Sequence, residues 1–180
     1  MRTTGTTIFL ALLIFLGALG VDFWALVALG SVARPESLQT GFSRWALVMR
    51  NSVIAQVGES ASGVVVGLAY PLILVSLIQL IAALLCFGRR YLAWRVLRAC
   101  CVGKMALYLI YIGVLLVAAA NAAQGQGNTM LGLGLETLII IFYGVAYWWF
   151  TRDQTAAEFA PLPIPLEAAE TSTPTEPKAG

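Results

Sequence analysis

The sequence predicts an all-α integral membrane protein: a four-transmembrane-helix bundle with an extra amphipathic helix in the first outer loop and a disordered C-terminal tail. Three observations carry this prediction. The 180 residues are 59% hydrophobic and 11% charged, with a mean hydropathy of +0.84, whereas soluble domains carry about 25% charged residues. Such a chain has too little polar surface to coat a core facing water. Four apolar runs are each long enough, at ~1.5 Å per residue, to cross a ~30 Å hydrocarbon core. Between the second and third lies GRRYLAWRVLRACCVGK, residues 88–104, with Arg89, Arg90, Arg95, Arg98 and Lys104 and no acid.

That basic stretch orients the chain, because Lys and Arg near span ends stay on the cytoplasmic side. With it inside, Arg2, its own five cations, Arg152 and Lys178 make eight inside; Arg34, Arg44 and Arg50 make three outside, which accounts for all eleven. Both termini are then expected in the cytoplasm. The split is too uneven for dual topology.

The first run covers residues 6–29. Arg2 before it and Ser31-Val32-Ala33 after it resemble the ends of a signal peptide, but the apolar region outruns a signal core of about 7–15 residues. A retained span is therefore expected. Residues 34–61 are more polar and fall outside. Within 37–58, Leu38, Phe42, Trp45, Met49, Val53 and Val57 recur at helical spacing. A helix is predicted there, lying among the outer headgroups with Phe42 and Trp45 buried, or packed on the bundle as a lid.

The second run, 62–87, places Gly63, Gly67 and Pro71 at steps of four, continued by Val75, Gln79, Ala82 and Ala83. Small residues let helices approach closely in lipid, so this is the expected packing face and a Leu at Gly67 is expected to destabilise it. Pro71 frees the carbonyl of Gly67. The third run, 102–123, carries Lys104, Tyr108, Tyr111, Leu115, Ala118 and Ala122 in a stripe, with Lys104 reaching back to the cytoplasmic headgroups. A short uncharged connection, 124–128, leads to the fourth run, 129–150. Gly132, Glu136, Ile140 and Gly144 share one of its faces, and Tyr147-Trp148-Trp149-Phe150 with Arg152 closes it as an aromatic belt. Residues 151–180 are rich in Pro, Ala, Glu and Thr and read as a disordered cytoplasmic tail. Its PLPIP piece fits a polyproline-type ligand or a plain linker.

Two acids interrupt the apolar runs. Asp22 and Glu136 each lie seven residues from the outer end of their run, at Leu29 and Thr129, and Tyr70 lies seven from Gly63. At ~10 Å depth the three are predicted to form one polar layer, facing the bundle interior or water rather than lipid. The acids would be hydrogen-bonded to Tyr70, hydrated, or reached by Arg44 or Arg50. Facing carboxyls cannot both ionise cheaply, so they would share a proton. Gln79, Tyr108 and Tyr111 form a second predicted layer nearer the cytoplasm, holding helices together by hydrogen bonds.

No catalytic, cofactor or metal site is expected. The chain has no histidine, and it carries no P-loop, HExxH, CxxC, GxSxG or Rossmann fingerprint. Cations confined to span ends suit lipid headgroups and give no nucleic-acid surface. Cys86, Cys100 and Cys101 fall on the reducing side, so no disulfide is expected; Cys100-Cys101 reads as an acylation site or as two small apolar residues. The layout resembles that of many small bacterial inner-membrane families, which implies a bacterial inner (plasma) membrane location. The expected function is a small non-enzymatic accessory or scaffold subunit, acting through helix packing and its outer segment on a homo- or hetero-oligomeric membrane partner. The alternative is an oligomeric proton-coupled transporter or permease using Asp22 and Glu136. An acid-pair enzyme comes third, since it needs both carboxyls within ~3 Å.

Overall fold

Four of the helices repeat their buried residues at alternating steps of three and four, and that rhythm decides how they pack. The computed structural model describes residues 3–32, 41–88, 90–121 and 126–160. Among them the regular structure is all helical: α1 (Thr4–Val32), α2 (Gly41–Val57), α3 (Glu59–Phe87), α4 (Tyr91–Asn121), α5 (Gln126–Thr151) and α6 (Asp153–Phe159). Helices α1, α3, α4 and α5 are long and apolar enough to cross a membrane.

In α1 the inward positions are Thr6, Leu10, Leu13, Gly17, Gly20, Trp24 and Val27. In α3 they are Val65, Ala69, Leu72, Ser76, Gln79, Ala83 and Cys86, and in α4 Trp94, Leu97, Cys101, Lys104, Tyr108, Tyr111 and Leu115. Glu136, Tyr143, Ala146 and Phe150 do the same in α5, with Ile139 half-buried between them. A mean step of 3.5 keeps each seam facing its neighbours in a bundle of nearly parallel helices. Helix α1 packs along α3, α3 along α4 and α4 along α5, whereas α5 and α1 meet over only a short stretch. That stretch is aromatic: the Phe9 ring lies 5.2 Å from Trp149 and 6.3 Å from Phe142.

The basic segment differs from its prediction. Only residues 88–90 separate α3 from α4, so α4 begins eleven residues before the expected span start at 102. Trp94, Leu97 and Cys101 carry the seam back through the arginines. Arg98 Cζ lies over Trp94, 4.7 Å from the ring centre, and 5.6 Å from that of Tyr147. A long side chain with a guanidinium stacked on aromatic faces does not break a helix.

Helix α6 corrects the reading of 151–180 as a disordered tail, at least over 153–159. Thr155 and Phe159 are buried, and Phe159 stacks on Trp94 at 6.2 Å and 15°. Glu158 Oε1 accepts hydrogen bonds from Thr3 N at 3.2 Å, Thr3 Oγ1 at 3.0 Å and Thr6 Oγ1 at 3.3 Å. A carboxylate suits this place, since the first turn of a helix carries unpaired N–H groups and partial positive charge. Residues 161–180, with the PLPIP piece, lie outside the described residues.

At the opposite end Gly58, with φ 77°, turns the chain from α2 into α3. Helix α2 covers this end of the bundle, burying Ala46, Val53 and Val57, with Ala46 against Gly30 of α1. The predicted α2 stripe splits: Val53 and Val57 point inward, whereas Phe42 and Trp45 are 64% and 61% exposed. Leu38 lies outside the described residues.

Candidate functional site in the bundle core

Lys104 sits 13 residues into the 31-residue α4, close to its midpoint, and is completely enclosed. The expectation that it reaches back to headgroups is therefore corrected. With α4 starting at Tyr91, ~20 Å of helix separates Lys104 from that end. Its Nζ donates to Ser76 Oγ of α3, and Ser76 donates in turn to the carbonyl of Leu72 at 2.6 Å. The Tyr108 ring centre lies 5.6 Å from Nζ.

Room for this lysine comes from α1. A Cβ on Gly20 would meet Ser76 Oγ at 2.7 Å and Lys104 Nζ at 3.2 Å, and one on Gly17 would meet the Ser76 carbonyl at 3.3 Å and Leu80 N at 3.4 Å. The two glycines bring the α1 backbone onto α3 at the level of the lysine. A buried ammonium is costly unless compensated. The negative group nearest in kind is Glu136 of α5, an electrostatic neighbour of Lys104, Tyr108 and Tyr111. Glu136 is 9% exposed, and its Oε2 is enclosed without a hydrogen-bond partner.

Around this centre the polar tips are paired between helices. Tyr143 donates to Gln79 Oε1 at 3.1 Å, and Gln79 Nε2 donates to the Leu13 carbonyl at 2.8 Å, tying α5, α3 and α1. Tyr108 and Tyr143 stack at 6.4 Å. Trp24 packs edge-on against Tyr111 at 5.6 Å. Tyr111 donates to Gln56 Oε1 of α2 at 3.4 Å, and Gln56 lies over Gly132.

Glu136 also forms part of the wall of a cleft of about 200 Å³ between α1 and α5, where those helices stand apart. Leu16, Leu19 and Phe23 line one side, and Leu135 and Ile139 the other.

The structure does not bring Asp22, Tyr70 and Glu136 together. Asp22 and Tyr70 are exposed on the outer surface of the bundle, and only Glu136 points in. Equal depth was legible, but direction around the helix differs: Asp22 falls between the inward Gly20 and Trp24, and Tyr70 follows the inward Ala69. Gln79, Tyr108 and Tyr111 are all buried but divide between two sets of partners, Tyr111 turning to α2. Gly63 and Gly67 are exposed with nothing within 4 Å of a Cβ built on either, and Pro71 is half-buried within α3. Among the described residues, Gly63 and Gly67 make no contact between helices. The three cysteines are free and buried, and among the described residues no group of three or more His, Cys, Asp or Glu is placed to hold a metal ion.

Four contributors escaped sequence reading: Lys104 as a core residue, Ser76, Tyr143 and the Gly17–Gly20 pair. The signal that finds them is the three-four alternation they share with Leu10, Leu13 and Trp24 in α1 and with Gln79 in α3. Comparison with known proteins finds no matching family model, no matching curated protein and no matching solved structure.

Proposed function

We propose that the chain is a multi-pass protein of a bacterial inner membrane, with both termini cytoplasmic, and that it is a non-enzymatic accessory or scaffold subunit. The α6 end faces the cytoplasm, as the eight-to-three distribution of cations requires. Helix α2 then lies on the outer side as the amphipathic element, with Phe42 and Trp45 among the headgroups. One observation carries the scaffold reading: Gly63 and Gly67 of α3 leave an open strip of backbone on the outer surface of the bundle. In lipid, small residues drive association by letting a second helix approach closely, and here the chain's own helices do not use them. A proton-coupled carrier would need Asp22 and Glu136 on one pathway, and they face different surroundings, so association is the better-supported reading.

The test is native mass spectrometry of the full chain released from lipid nanodiscs, with its co-purified partners. The wild type is expected as a stable homo- or hetero-oligomer. Gly63→Leu with Gly67→Leu should release the monomer. A wild type that is monomeric and free of partners would sink the proposal.

A further inference from the structure

We infer that the cleft between α1 and α5 is a binding site for a neutral, hydroxyl-headed apolar molecule, which enters sideways from the bilayer and hydrogen-bonds to Glu136. This rests on the membrane placement above and is independent of the scaffold role.

The cleft has the shape for such entry. The two helices touch where Phe9 meets Phe142 and Trp149, and they stand apart beyond. Leu19 and Leu135 at the mouth are 52% and 58% exposed on the surface that would face lipid. At about 200 Å³ the space is smaller than the ~300–1,000 Å³ of sites that enclose a whole drug-sized ligand. It fits a head and the first carbons of a chain, with the remainder trailing past Leu19 into the acyl region.

The chemistry of the head follows from what the walls lack. Glu136 is the carboxylate among the residues lining the cleft, 9% exposed, and an acceptor left unpaired there is expensive. A pure hydrocarbon would leave it so, and an acidic head would be repelled by it. An ammonium head would put a second cation next to Lys104, which already supplies the positive charge of this region; two cations and one carboxylate leave a net charge in a low-dielectric core. A hydroxyl avoids all three. It donates to Glu136, and it can accept from the Tyr108 hydroxyl, which lines the same cleft.

The experiment uses the full chain in lipid nanodiscs with a diazirine-bearing hexadecanol as photoprobe. Labels are expected within 16–24 and 135–143, removed by excess hexadecanol and not by hexadecane. Leu19→Trp, which blocks the mouth without entering the core, should cut labelling about tenfold at unchanged thermal stability. Glu136→Leu should cut it by a similar factor, the loss of one hydrogen bond to a charged group. Labels spread evenly over lipid-facing positions, competition by hexadecane, stronger competition by hexadecylammonium, or undiminished labelling of Leu19→Trp would each overturn the site. Failure of the chain to enter nanodiscs would overturn the membrane placement along with it.

Discussion

Two pairs of glycines in this molecule have opposite fates. Gly63 and Gly67 of α3 form the GxxxG pattern associated with tight packing, yet both stand open. Gly17 and Gly20 of α1 form no named motif, and the α3 backbone and the Lys104 ammonium lie where their side chains would be. The difference is angular. A step of four residues overshoots one turn of 3.6 by ~40°, so a row of fours winds around the helix. From Gly63 to Gln79 there are four such steps, ~160° in all, and the row starts on the outer surface and ends in the core. Gly17 and Gly20 belong instead to an alternating row that holds its direction from Thr6 to Val27. A small residue offers a close approach; the register decides whether a neighbour takes it up.

The comparison can be broken most forcefully at the group that fills the α1 gap. Lys104→Met is expected to cost about 1–3 kcal/mol, because Ser76 Oγ loses its donor and Glu136 loses the cation in its surroundings. Adding Glu136→Met should recover most of that loss. Unfolding in mild detergent would measure both, and equal stability of Lys104→Met and wild type would mean that the lysine is no part of the core. An effect of the same order is expected from Gly20→Leu, about 1–3 kcal/mol for overpacking, read in the same titration. Gly67→Leu completes the set. In the detergent-dispersed monomer it should stay within about 0.5 kcal/mol of wild type, like other substitutions away from packed features, and a large loss there would mean that one of the chain's own helices covers that face.

Much of the fold was legible, and what was missed has a common cause. Hydropathy alone located the four apolar helices. The α4 stripe from Lys104 to Leu115 was read correctly because its steps alternate four and three. The α3 row and the α5 row through Ile140 and Gly144 were read in fours, and drifted off the seam that runs through Ile139 and Tyr143. Depth along a helix was counted without angle around it, which put Asp22 and Tyr70 in one layer with Glu136. Cation density reads as the end of a helix, although the Arg98 guanidinium lies over two aromatic rings and α4 continues through it. The Glu158 clasp had no local signal at all, since its partners lie at the other end of the chain.

That clasp has a consequence for the order in which the molecule is made. Thr3 leaves the ribosome 155 positions ahead of Glu158. Until then the first turn of α1 has no carboxylate to cap it, and that end of the seam between α1 and α5 rests on the Phe9 ring contacts and the Trp149–Thr6 hydrogen bond. The clasp between α6 and the start of α1 therefore forms only after every helix between them has been made.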